Sequence, residues 1–174
     1  MDLCAICGAG RQARTRLAFL DHLNAQAGRR DTTVTLAAGA PFGALKADRN
    51  ACTVCHACVN LCPTAALAAG MGDEPELLFT EKYCVQCGLC AAGCPEQALE
   101  LAPRIALDPE ARGVAQVLAH GDQFKCIECG TPFISRAVLE RSMLHVKDHP
   151  LFVDGGINLL KLCMPCRQKR MLAT

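Results

Sequence analysis

Several stretches of this chain carry a helical or extended period that is legible in the order of apolar and polar residues. Over residues 11–27, Leu17, Leu20 and Leu23 fall near one face and arginines on the other, which predicts an amphipathic helix. Residues 44–47 and 77–80 read as short extended segments. Further on, Ser135 reads as an N-cap, Val138, Leu139, Met143 and Val146 recur on one apolar face, and His149-Pro150 ends that helix. After Gly155-Gly156, residues 157–162 predict another short helix.

Both extended segments run into cysteine-rich loops of one spacing. Cys52-x2-Cys55-x2-Cys58-x3-Cys62-Pro63 recurs 32 positions later as Cys84-x2-Cys87-x2-Cys90-x3-Cys94-Pro95, and Leu67 falls on Leu99. This duplication predicts a pseudo-twofold core. Three cysteines two residues apart wrap three corners of a cubane iron–sulfur cluster from one tight loop. The fourth, just before a proline, is carried away and reaches the cluster of the other run. The expected sets are therefore crossed: Cys52, Cys55, Cys58 and Cys94 for one [4Fe-4S] cluster, Cys84, Cys87, Cys90 and Cys62 for the second. The prolines are expected to open single helical turns at residues 64–68 and 96–99. Two zinc sites on the same thiols are the rival, but zinc usually joins two separated two-cysteine knuckles.

On these motifs, residues 45–102 resemble the bacterial two-cluster ferredoxin family. The resemblance implies a small α+β fold with the clusters in its core, carrying single electrons at low potential.

A second constellation lies beyond, where Cys126-x2-Cys129-Gly130 and Cys163-x2-Cys166 each supply a two-cysteine knuckle. Two knuckles make one tetrahedral site, and a glycine after the second cysteine lets the backbone turn with positive φ. Zinc is the favoured occupant and a third cluster the rival. A helical segment this short needs such a metal to fold, because it has little apolar surface to bury. The order of parts resembles a wider group of bacterial iron–sulfur proteins, in which a dicluster segment is followed by a CxxCG-x-PF knuckle, here 126–133, and a closing CxxCR knuckle, here 163–167. The stretch 37–43 also looks like that group. Its members accompany molybdenum- or tungsten-dependent oxidoreductases such as formate dehydrogenases, so the resemblance implies a larger redox enzyme as partner.

Cys4 and Cys7 remain outside these sets. They read as half a metal site completed by a partner chain, as an exchangeable dithiol, or as an unmetallated pair; the first reading is favoured. Thioredoxin-like chemistry lacks its βαβ surroundings, and no predicted strand precedes Gly8-Ala-Gly10 to make it a nucleotide loop.

Fourteen cysteines among 174 residues would suit a secreted disulfide scaffold, but the spacings are those of metal ligands and no charged leader with an apolar stretch opens the sequence. A reducing cytoplasm is the expected setting. Arg29-Arg30 lacks the sustained apolar segment of an export signal, and no run approaches the roughly 18 apolar residues of a membrane span. A net charge of +1 and an aromatic content of 4% argue against nucleic-acid binding. Asp73, Glu74, Glu76 and Glu81 form an acidic cluster that reads as a solvated hairpin tip or a docking rim. His56 sits inside the first cluster loop, where a solvent-facing side chain is expected; His145 and His149 lack a third ligand, and His22 and His120 lack any constellation.

No nucleophile, base and orienting carboxylate come together in the sequence, so the chain reads as an electron-transfer protein or non-catalytic subunit, not an enzyme. The alternative class is a regulatory or binding module, with Arg167, Lys169 and Arg170 contacting nucleic acid or protein. The expected architecture is α+β. It comprises an N-terminal knuckle and helix (1–35), a dicluster domain (36–104), a linker (105–122) and a small helical, metal-stapled C-terminal domain (123–174).

Overall fold

The computed structural model describes residues 15, 17–19, 21–22, 24–26, 32–70, 72, 74–152 and 156–172. Helix and strand are mixed, as an α+β fold requires. In chain order the elements are β1 (Thr33–Thr35), β2 (Gly43–Ala47), α1 (Ala57–Leu61), β3 (Leu67–Ala69), β4 (Glu76–Phe79), α2 (Leu89–Ala92), β5 (Leu99–Ala106), α3 (Pro109–Gly113) and β6 (Gln116–His120). They are followed by β7 (Gln123–Lys125), β8 (Pro132–Ser135), α4 (Arg136–Val146), a 3-10 stretch at Gly156–Lys161 and α5 (Met164–Leu172).

The duplication in the sequence is visible in the fold. Strand β2, α1 and β3 frame the first cysteine loop as β4, α2 and β5 frame the second. The halves exchange strands: β2 pairs antiparallel with β5, from Gly43↔Pro103 to Ala47↔Leu99, and β3 pairs with β4, from Leu67↔Phe79 to Ala69↔Leu77. Burial follows the repeat. Ala66 and Leu67 are buried like Ala98 and Leu99, and Cys58 like Cys90, while Leu77 and Phe79 of β4 are almost wholly buried. Each such aliphatic or aromatic side chain contributes about 1.5–3 kcal/mol.

The helical turns expected after the prolines are absent. Turns follow Pro63 and Pro95, and the chain then enters β3 and β5; the helix lies instead between the third and fourth cysteines, as α1 and α2. The reason is local: Ala65 and Gln97 adopt φ of 54° and 51°, which no right-handed helix continues.

Residues 105–122, expected as a linker, include α3 and β6, with Ile105, Arg112 and Ala119 buried. Strand β6 pairs with β4 from Glu76↔His120 to Phe79↔Gln116 and completes a three-stranded sheet β3-β4-β6. The described N-terminal residues between 15 and 26 are helical, with Leu17 buried. They dock on the core where the buried guanidinium of Arg112 holds Asp21 and where Asn24 Nδ2 donates to the Leu107 carbonyl at 3.3 Å. Leu20 and Leu23 lie outside the described residues.

The C-terminal segment is not purely helical. It opens with the hairpin β7–β8, whose tip carries Cys126 and Cys129. Helix α4 buries Leu139 and half-buries Val138, Met143 and Val146, the face read from the sequence. Ser135 precedes it as the N-cap residue but makes no side-chain cap bond.

Candidate metal centres

Each ferredoxin-type loop is bent by residues in the left-handed region at repeat-related positions. Val54 and His56 have φ of 52° and 60°; 32 positions on, Gln86 and Gly88 have 54° and 80°. For a β-branched residue such as Val54 this backbone is strained and persists only where its surroundings impose it. Successive turns of this kind aim backbone amides into one concavity, which suits an anionic cluster.

Two cavities lie inside these loops. The first is lined by Cys52, Cys55, Cys58 and Cys94, and the second by Cys84, Cys87, Cys90 and Cys62. The fourth cysteine of each run thus faces the cavity of the other run. Behind it, the Ala66 amide donates to Cys62 Sγ at 3.3 Å and the Ala98 amide to Cys94 Sγ at 3.4 Å.

Four of these eight thiols are pushed up, chiefly by burial. Burial, then the neighbouring sulfurs of Cys55 and Cys52, pushes the Cys58 thiol up to about 12. Burial also raises Cys52, Cys84 and Cys90. Cys62 moves the other way: burial raises it, but hydrogen bonds from the Leu67 and Thr64 amides outweigh that and lower it. Four crowded thiolates need a cationic centre, and soft iron corners supply one. The residues present therefore fit a [4Fe-4S] cluster in each cavity.

The two loops differ in what surrounds them. His56 is half-buried, lines the first cavity and has Nε2 2.9 Å from the Glu76 carbonyl, so it is not the solvent-facing side chain expected. Gln86 holds the corresponding second loop by donating from Nε2 to the Ala44 carbonyl at 2.9 Å and to Cys84 Sγ at 3.4 Å. Sequence reasoning did not single out Gln86, although its place two residues after a first ligand was a usable signal.

The C-terminal quartet is of another kind. The sulfurs of Cys126, Cys129, Cys163 and Cys166 all lie within 4.8 Å of one another, and Cys129 Sγ is 3.5 Å from Cys163 Sγ. Among the described residues no other set of three or more such ligands is gathered as closely. Gly130 turns the first knuckle with φ 72°, and the Cys163 amide donates to Cys126 Sγ at 3.3 Å. Burial pushes the Cys126 thiol up, but the amides of Cys129 and Cys163 outweigh it and draw it down to about 6. Cys166 is driven up to about 12, first by its contact with Cys163 and then by burial. One quartet therefore holds both an acidified and a suppressed thiol, which a bound cation would reconcile.

Other expected residues are differently engaged. Cys4 and Cys7 lie outside the described residues, as does Asp73. Glu81 is no part of an acidic rim: its side chain is buried and paired with Arg104 at 2.7 Å. Arg167 of the supposed basic tail donates to the Leu159 carbonyl at 2.9 Å and the Leu162 carbonyl at 3.2 Å, closing the end of the 3-10 stretch. His145 Nδ1 lies 2.8 Å from the Arg141 carbonyl on its own helix, and His149 packs beside Phe152.

Residues 44–95 match the family model of the 4Fe-4S dicluster domain. Over 45 residues, 26% of this chain, the sequence is 42% identical to the ferredoxin-type protein NapF of Escherichia coli strain K12; the NapF proteins of strains O157:H7 and O6:H1 match equally. The match spans about a quarter (27%) of the length of these relatives. These likenesses support a dicluster ferredoxin family for the segment. Among the described residues no helix is long and apolar enough to cross a membrane.

Proposed function

We propose that this chain is an iron–sulfur electron-transfer protein, or a non-catalytic oxidoreductase subunit, that relays single electrons to or from a larger redox enzyme. Two [4Fe-4S] clusters would be held in crossed sets, one by Cys52, Cys55, Cys58 and Cys94 and the other by Cys84, Cys87, Cys90 and Cys62. The observation that supports this reading most directly is the lining of the two cavities, each by three cysteines of one run and the last of the other. Bound, the clusters supply reversible one-electron chemistry. The chain's own residues supply ligation, amide hydrogen bonds to sulfur such as those to Cys62 and Cys94, and limited solvent access, which together set potentials.

The resemblance noted in the sequence implies a molybdenum- or tungsten-dependent oxidoreductase as the partner class, and the many free thiols suit a cytoplasmic setting. The four C-terminal cysteines would hold a metal of their own, zinc in preference to a third cluster. Cys4 and Cys7 would complete a site with a partner chain; a double Cys→Ser variant that retains its partner and its metal content would refute that assignment.

The test of the whole reading is anaerobic preparation, iron and sulfide analysis, and a redox titration followed by electron paramagnetic resonance. About eight irons and eight sulfides in the core, with both clusters reversibly reduced, are expected. Redox-inert clusters together with salt-sensitive nucleic-acid binding would favour the regulatory module instead, although the engagement of Arg167 already weighs against it.

A further inference from the structure

The two cysteine loops are related by the repeat, yet they are unequally covered at the two residues after the first cysteine. Thr53 and Val54 of the first loop are 7% and 3% exposed, whereas their counterparts Val85 and Gln86 are only half-buried. The cover comes from the chain beyond β6. Ser135 Oγ donates to the Thr53 carbonyl at 2.8 Å, Gly121 lies against Val54, and Arg141 Nη2 pairs at 2.7 Å with Glu96, which lines the first cavity.

What holds this cover in place has little apolar core of its own. Its buried cluster is Cys126, Leu162, Cys163 and Cys166, with Phe133 and Leu159 packed alongside, so three of the four buried members are cysteines. The hairpin β7–β8 has strands of three and four residues, too short to stand alone. Yet it links the two functions directly, because Lys125 precedes Cys126 at the tip while Gln123 pairs with Ser135 at the base.

The spacing of the four sulfurs decides the kind of metal. A tetrahedral tetrathiolate ion with metal–sulfur bonds of about 2.3 Å places its sulfurs about 3.8 Å apart. The quartet meets that spacing, with all sulfurs within 4.8 Å and one pair at 3.5 Å. A cubane holds its ligating sulfurs outside the corners of an iron cube, much further apart.

We infer that Cys126, Cys129, Cys163 and Cys166 bind a single tetrahedral divalent ion, zinc or iron in the same coordination, and that this ion fixes the C-terminal segment as a cap on the first cluster loop alone. The second loop stays uncapped and is the more open of the two toward a redox partner. This inference rests on the two-cluster reading only for the identity of what is capped.

The test uses the full chain with its clusters, prepared anaerobically. Metal analysis is expected to give one zinc, or one iron, beyond the cluster irons, and absorption spectra distinguish these two; four additional irons without zinc overturn the single ion. Amide hydrogen exchange is then compared over residues 52–58 and 84–90 in a Cys163→Ser/Cys166→Ser variant. Loss of protection in 52–58 with 84–90 unchanged is expected. Equal loss in both loops, or no change in either, overturns the cap. A Ser135→Ala/Arg141→Ala variant keeps the quartet and provides a second arm: it should retain the extra ion and show the same one-sided loss, and unchanged exchange there also overturns the cap. Redox-inert clusters would sink the relay reading while leaving this exchange pattern as it is.

Discussion

Ser135 and Thr53 are 82 residues apart in the chain, yet the Ser135 hydroxyl donates to the Thr53 carbonyl at 2.8 Å with both residues buried. Serine before a helix ordinarily caps it through its own side chain. Here the hydroxyl is diverted to a carbonyl of the strained first loop, at the cost of the cap bond. Two parts of the protein are thereby tied together at a point where neither has water to turn to.

Replacing Ser135 by alanine should therefore remove more than a surface contact. The Thr53 carbonyl loses this donor in a buried position, a change of about 1–2 kcal/mol. For a protein of this size, that corresponds to a fall in melting temperature of roughly 2–8 °C. Thermal unfolding of the anaerobic holoprotein followed by circular dichroism checks it, and an unchanged midpoint would show that the bond contributes nothing.

Gly43 occupies a position where no side chain fits. An added Cβ would stand 2.4 Å from Gln86 Cδ and 2.6 Å from the Ala102 carbonyl oxygen. Since Gln86 braces Cys84 Sγ and the Ala44 carbonyl, Gly43→Ala should displace it, at a cost of about 1–3 kcal/mol. The expected signature is selective: altered resonance signals from the cluster of Cys84, Cys87 and Cys90, with the other cluster's signals retained. Equal disturbance of both clusters would contradict the local route.

The contrast between these residues shows which features a sequence exposes. Cysteine spacing is a local property, so the grouping of the two cysteine runs and the two C-terminal knuckles is visible in residue intervals alone. The strand role of residues 116–120 is not, because the pairing Glu76↔His120 depends on a long-range register. Nor is the fate of Glu81, which lies in an acid-rich stretch but finds Arg104 across the fold. The helical turns expected after Pro63 and Pro95 failed for a subtler reason. Proline suits a first helical turn, but Ala65 and Gln97 take a positive φ two residues later, which no right-handed helix continues.

The Glu81–Arg104 pair offers a further test. The glutamate is nearly buried and its Oε1 has no hydrogen-bond partner among the described residues, while the arginine is partly exposed, with side-chain exposures of 5% and 37%. Arg104→Ala leaves a buried carboxylate without its cation and should destabilise the fold by on the order of 2 kcal/mol, below the figure for a fully buried pair because water reaches one partner. Glu81→Gln removes the charge together with its need for a partner and should cost less. Denaturant unfolding of both variants ranks them, and a larger loss for Glu81→Gln would mean that the pair's charge matters more than the stranded carboxylate.

The proposed crossing of the cysteine sets yields the sharpest prediction. Cys94 lines the cavity of Cys52, Cys55 and Cys58, and Cys62 lines that of Cys84, Cys87 and Cys90. Each fourth cysteine also receives an amide hydrogen bond from the turn that follows it, which holds its sulfur toward the cavity of the other run. Cys94→Ser should convert or lose the cluster of the first run and leave the second run's cluster in place, although Cys94 belongs by sequence to the second run. Cys62→Ser should do the reverse. Iron analysis falling from about eight toward four, with resonance spectra to say which cluster survives, separates the outcomes. Damage confined in each variant to the cluster of its own run would mean that each run closes on itself, and the exchange of ligands between the two halves would have to be abandoned.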